Sequence, residues 1–224
     1  PFTKKELRLA KKIFPAIKSI SGHNLKETTT HLNDKDHLHI TVLREPVKRC
    51  LSHFQDNCLR HGNTLPFEEW ILMDRVQNLQ VKHITGEENL EKAKKILKEK
   101  FFFVGLTERF DESLQLFKAI SPCKVNINYK KKVVASNNTI KNELLKEPDK
   151  VELAKKYNQL DLELYQFVKE ELFTQKMNEN AELIEQTEKP REKYKSVLTW
   201  NYQMSVFYNK FIYKILLKLL GERK

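Results

Sequence analysis

The amino-acid sequence predicts a helix-rich α/β fold, in which a short parallel sheet is flanked by helices. The main observation is a strand-then-helix order that occurs twice, first as HLHITVL (37–43) before a helix at Pro46 and then as FFFVGL (101–106) before a helix over 107–120. Strands that alternate with helices are typical of a parallel sheet covered by helices. With 224 residues, 40% of them hydrophobic, the chain is long enough to bury a substantial core.

The remaining segments are predicted to be mostly helical. Apolar spacing and helix-start signals predict helices over 4–18, 46–59, from Pro66 to about His83, 88–100 and from Pro148 to about Met177. We expect an α/β domain over 1–177 and a C-terminal helical extension over 178–224.

The last segment, VFYNKFIYKILLKLL (206–220), is apolar apart from a stripe of lysines four residues apart, Lys210, Lys214 and Lys218. The favoured interpretation is a helix that packs against the domain or a partner. The alternative is peripheral contact with a membrane, since basic and aromatic residues suit the interface. No signal peptide and no uncharged apolar stretch of 18 residues occurs in the sequence.

Glycine content excludes the usual nucleotide-binding loops from these residues. The five glycines lie at 22, 62, 86, 105 and 221, whereas GxxxxGK[ST] and GxGxxG need glycines a few residues apart. The three cysteines form no CxxC motif and no set of pairs, and the histidines form no HExxH motif. His37 and His39 share one face of a predicted strand, but no further ligands accompany them. We therefore expect no metal site.

The charge of the chain favours anionic partners. Forty-one Lys and Arg against thirty Asp and Glu give a net charge of +11. The longest basic run is only Lys130, Lys131 and Lys132, so we expect no nucleic-acid partner. A basic surface without a specific ligand accounts for the charge equally well.

The segment LREPVKRCLSHF (43–54) carries the predicted chemistry. Arg44 leaves the strand, and Ser52 lies about 140° around the helix from Val47, away from the apolar stripe. An arginine at a strand end and a hydroxyl on the next helix can hold a phosphate near the helix N-terminus. The alternative is a surface serine and an arginine paired with Glu45.

This segment resembles the 3′-phosphate-binding strand, turn and helix of sulfotransferases that use 3′-phosphoadenosine 5′-phosphosulfate (PAPS), in particular the carbohydrate and heparan-sulfate branch with its LR[DE]P-x-x-R-x-x-S pattern. Further blocks resemble that family in the same order: ISGHNL (20–25), NLQVKHITG (78–86), FVGLTERFDESLQLF (103–117) and YNQLDLELYQFV (157–168). The resemblance covers roughly residues 19–170.

The resemblance implies a P-loop-like sulfotransferase fold and transfer of the sulfuryl group from PAPS to a hydroxyl, with a saccharide as the expected acceptor and adenosine 3′,5′-bisphosphate as the product. By matching position, Arg44 and Ser52 would bind the 3′-phosphate and His23 would be the general base. Lys130, Lys131 and Lys132 stand where the family has a basic loop over the nucleotide. A hydrogen-bonded core histidine and a solvated loop are the alternatives for these residues.

One motif of the family does not occur in this sequence. The PKTGGTS-like loop that holds the 5′-phosphosulfate is absent, and we expect that strand and loop upstream of Pro1. Without the loop, 3′-phosphate binding could persist but transfer would not. We expect a cytoplasmic location; the alternative is the Golgi lumen, if an anchor precedes Pro1. The competing function is a non-catalytic basic module that binds acidic glycans or a membrane surface.

Overall fold

The structure is a computed structural model that describes residues 38–129 and 139–191. Residues 38–127 and 139–190 belong to one compact unit. Its strands and α-helices are β1 (His39–Leu43), α1 (Pro46–His61), α2 (Phe67–Trp70), α3 (Leu79–Thr85), α4 (Leu90–Lys100), β2 (Phe101–Leu106), α5 (Phe110–Ile120), α6 (Thr139–Leu144), α7 (Pro148–Lys156), α8 (Gln159–Phe167), α9 (Gln175–Glu179) and α10 (Ala181–Glu185). Residues 128, 129 and 191 belong to a second unit, where the Arg191 N–H donates to Asn128 Oδ1.

The two strands of the described chain pair in parallel, as the sequence predicts. Thr41 lies opposite Val104 and Leu43 opposite Leu106, with an irregularity after His39. Since most described residues are helical, the coarse fold prediction of a helix-rich α/β chain with a short parallel sheet is confirmed. At the end of β1, Leu43 is buried while Val42 is 44% exposed, so this strand is covered on one face only.

Helices form the first hydrophobic cluster around β2. The apolar side chains of this strand pack against the inward faces of α3, α4, α5 and α8. Its fully buried members include Val81, Ala93, Leu106, Leu116, Leu164 and Phe173. The carboxyl ends of both strands emerge beside this cluster.

The second cluster lies on the apolar face of α1. Cys50 and Leu51 are completely buried there against Trp70 and Ile71, and Ala154 of α7 closes the cluster. Trp70 contacts Phe54 edge-to-face and stacks on Phe67. The predicted apolar stripe of α1 is therefore confirmed, and Ser52 lies away from it, half-buried.

The helix predicted from Pro66 to His83 is wrong as one continuous element. The chain forms α2, a 3₁₀ turn over Asp74–Val76 and then α3. Asn78 interrupts the helix with a φ of 46°, in the left-handed region that asparagine tolerates better than most residues. The Asn78 side-chain oxygen accepts a hydrogen bond from the N–H group of Leu160 at the start of α8.

The long helix predicted from Pro148 to Met177 is also divided. It breaks at Asn158 between α7 and α8, and residues Val168–Thr174 form a π-helical segment. The wider π turn brings Val168 and Phe173, five residues apart, to the core, so that Phe173 rather than Leu172 is fully buried.

Gly105 leaves little room for a side chain between β2 and α5. A Cβ there would lie 3.0 Å from the Phe103 ring and 3.1 Å from Cβ of Ser113. The Ser113 hydroxyl is itself fixed, because its Oγ accepts from the Leu106 N–H and donates to the Leu106 carbonyl.

We therefore expect Gly105→Ala to lower the free energy of unfolding by about 1–3 kcal/mol through overpacking. Urea unfolding followed by circular dichroism measures this loss. In a Phe103→Leu background, which lacks the ring atoms in conflict, Gly105→Ala should cost less stability than it does in the unaltered protein. Unchanged stability of Gly105→Ala would contradict the close packing described here.

Several predictions lie outside the described residues. These are the helix over 4–18, His23, His37, Lys130, Lys131, Lys132 and the lysine-striped segment over 206–220. The domain boundary after residue 177 stays a prediction. Within 38–129 and 139–191, no helix combines the length and the apolar character needed to cross a bilayer.

Candidate functional site

The site begins at the turn from β1 into α1. Arg44 is the first residue after the strand, and the Glu45 carboxylate accepts from the N–H groups of Val47 and Lys48, at 3.0 and 2.7 Å. Pro46 fits the first helical position because it needs no N–H partner there. Glu45 thus caps α1, and among the described residues the alternative Arg44–Glu45 ion pair does not form.

Gln80 holds the main chain of Arg44. Its Oε1 accepts from the Arg44 N–H and its Nε2 donates to the Arg44 carbonyl, both at 2.9 Å. One side-chain amide therefore satisfies both backbone groups where the strand ladder has ended. Gln80 is 9% exposed, so these bonds are shielded from competing water.

The end of β2 fixes the same turn from the other side. Thr107 Oγ1 donates to the Leu43 carbonyl, and Glu108 Oε2 accepts from the Glu45 N–H and from the Tyr165 hydroxyl. Burial and this carboxylate raise the pKa of Tyr165, which therefore stays a neutral donor. The turn that carries Arg44 is tied to both strand ends.

Two helices cap each other beneath this turn. Asp161 of α8 accepts from the N–H groups of Gln80 and Val81 at the start of α3, at 3.0 and 2.8 Å. In return, Asn78 Oδ1 accepts from the N–H groups of Leu160 and Asp161 at the start of α8. The reciprocal arrangement satisfies helix N-terminal donors that would otherwise be buried without partners.

Arg49 links this pair of helix ends to α1. Its Nη2 donates to Asn158 Oδ1 at 2.9 Å, and its Nε lies 3.6 Å from Asp161 Oδ2. Asp161 is completely buried, so burial raises its pKa although Arg49 and two amides favour the charged form. Burial also lowers the pKa of Arg49. Both shifts show that desolvation dominates at this pair.

Cationic side chains gather near Ser52. Lys48, Ser52 and Gln55 share one face of α1, being four and three residues apart. Gln55 Oε1 accepts from the Lys141 N–H of α6 at 3.1 Å. Burial and the nearby charges of Arg44 and Lys48 lower the pKa of Lys141. In the described ranges no salt bridge includes any of these three cations.

The structure places Arg44 and Ser52 on consecutive elements at one edge of the sheet, and it adds Lys48 and Lys141 to their surroundings. Sequence reasoning missed these two lysines, as well as the supporting residues Gln80, Asn158 and Asp161. The supporting residues fall inside the blocks 78–86 and 157–168, where clustered Asn, Gln and Asp among apolar residues were the available signal.

The arrangement is suited to binding an anion. Ligands of open α/β sheets bind outside the carboxyl ends of the strands, where Arg44 lies. A phosphate there would meet a guanidinium, a hydroxyl and ammonium groups, which are strong charge-assisted donors. No group of three His, Cys, Asp or Glu side chains with the geometry of a metal site occurs among the residues described.

No protein-family model, curated protein or solved structure matches this chain.

Proposed function

We propose that this protein is a PAPS-dependent sulfotransferase that transfers the sulfuryl group to a hydroxyl of an acceptor, with a carbohydrate as the acceptor class. The proposal is supported by the closeness of the Arg44 and Lys48 charges to Lys141, whose main chain is held beside Ser52 on α1. No salt bridge among the described residues includes any of these three cations. A nucleotide 3′-phosphate would supply the missing negative charge.

The proposed roles follow the sequence resemblance. Arg44 and Ser52 bind the 3′-phosphate, and His23 takes the proton from the acceptor hydroxyl as that oxygen attacks sulfur. A base is required because a sugar hydroxyl is a weak nucleophile until it loses its proton. Lys130, Lys131 and Lys132 would cover the nucleotide.

The test is isothermal titration calorimetry of the full-length protein with adenosine 3′,5′-bisphosphate. We expect Arg44→Ala to weaken binding roughly tenfold to a hundredfold, since a hydrogen bond between charged groups contributes about 1.5–3 kcal/mol. Arg60→Ala is the control, because Arg60 is an exposed arginine on α1 that is paired with Asp56. Absence of binding by the unaltered protein, or equal affinity of Arg44→Ala, would refute the proposed site.

The net charge of +11 favours one other function, a non-catalytic module that binds acidic glycans or a membrane surface. This alternative predicts retention on heparin or on anionic vesicles that Arg44→Ala leaves unchanged, together with no nucleotide binding. The same variant therefore separates the two functions.

A further inference from the structure

Helix α6 is fixed against α1 by both apolar and polar contacts. Leu144 is buried in the second hydrophobic cluster, and Ile140 packs against the same cluster. The Lys141 N–H donates to Gln55 Oε1, and Gln55 itself is only 3% exposed. The main chain at Lys141 is therefore held next to the α1 face that carries Ser52.

The position of Gln55 on α1 defines which side of the site α6 covers. Lys48 lies one turn before Ser52 on this face, and Gln55 lies one turn after it. Arg44 and Lys48 are near enough to Lys141 for their charges to make its ammonium form less favourable. The β1–α1 turn, α1 and α6 therefore bring three positive charges together.

The positive charges of Arg44 and Lys48 act unfavourably on Lys141, and an anion bound between these side chains would reduce that repulsion. Folding places them there through the Gln80–Arg44 and Gln55–Lys141 hydrogen bonds, and both glutamines are buried. Bound phosphate would convert the repulsion into attraction for all three side chains.

We propose that Lys141 is a further ligand of the nucleotide 3′-phosphate, acting from α6 opposite Arg44 and Ser52, and that it contributes to selection of nucleotides carrying this group. The inference rests on the proposed function. It goes beyond the motif on β1 and α1, since α6 lies nearly ninety residues further along the chain.

The experiment compares adenosine 3′,5′-bisphosphate with adenosine 5′-monophosphate, which lacks the 3′-phosphate, on the full-length protein. Lys141→Met keeps most of the aliphatic stem and removes the charge. We expect it to weaken binding of the bisphosphate about fivefold to tenfold, less than Arg44→Ala because Lys141 is partly exposed, and to leave the monophosphate unchanged. Lys141→Arg should restore most of the affinity.

Lys146→Met is the matched control, because Lys146 is an exposed lysine just after α6; it should bind both nucleotides like the unaltered protein. Circular dichroism confirms that each variant is folded. Equal affinity of Lys141→Met and the unaltered protein for the bisphosphate would overturn the role of Lys141 while leaving the proposed function intact. Failure of the unaltered protein to bind the bisphosphate would overturn both.

Discussion

Asp161→Ala is expected to lower the free energy of unfolding by about 3–5 kcal/mol. The reason lies in what the variant leaves behind. Arg49, whose side chain is 15% exposed, would keep its charge without its carboxylate partner, and the N–H groups of Gln80 and Val81 would lose their acceptor inside the protein.

This expectation does not require the ion pair itself to be strongly stabilising. Burial raises the pKa of Asp161 and lowers that of Arg49, so each charged form is disfavoured by desolvation. An intact buried pair of this kind contributes little net stability. Removal of one partner is nevertheless strongly destabilising, because the remaining charge is still desolvated and no longer has an opposite charge beside it.

Urea unfolding with detection by circular dichroism measures the effect. Asp56→Ala is the matched control, because Asp56 pairs with Arg60 at 3.1 Å on the exposed face of α1 and should contribute less than about 1 kcal/mol. Asp161→Asn keeps one capping oxygen and should fall between the two. If Asp161→Ala costs no more than Asp56→Ala, the buried network has no structural importance.

The pattern of apolar residues made β1, α1 and β2 predictable, because each is one unbroken element with clear end signals. Pro46 marks the start of α1, and the uninterrupted run FFFVGL has the length of a strand. The helices predicted over 66–83 and 148–177 are longer than those observed, because nothing in the sequence around Asn78 and Asn158 indicates that a helix is interrupted there.

Both asparagines interrupt a helix, and both form hydrogen bonds with residues distant in the sequence. Asn78 takes a left-handed conformation and caps α8, while Asn158 accepts from Arg49 and from the Asn78 N–H. The local sequence shows polar residues in both blocks, but it does not show which of them bond to each other across about 80 to 110 positions. For the same reason Arg44 and Ser52 could be selected from one segment, whereas Gln80 and Lys141 required the folded chain.

Trp70→Ala is expected to destabilise the protein by about 3–5 kcal/mol, because it opens a cavity in the second hydrophobic cluster. Trp70 is completely buried between Phe54 and Phe67, and the His53 imidazole contacts it edge-on. Trp70→Phe keeps an aromatic ring and should lose roughly 1–2 kcal/mol. Circular dichroism is the suitable probe, since the substitution removes a fluorophore.

The same variant tests whether stability and anion binding depend on different faces of α1. Trp70 packs against the apolar stripe, whereas Ser52 lies about 140° around the helix from Val47 of that stripe. At a temperature below its unfolding midpoint, the Trp70→Ala variant should therefore bind adenosine 3′,5′-bisphosphate with an affinity within about twofold of that of the unaltered protein. In this variant Glu45 still caps α1, and Gln80 still bonds to the main chain of Arg44. A tenfold loss of affinity in the folded variant would mean that the apolar cluster positions the cations, and that the hydrogen bonds of Gln80 and Gln55 are insufficient to do so.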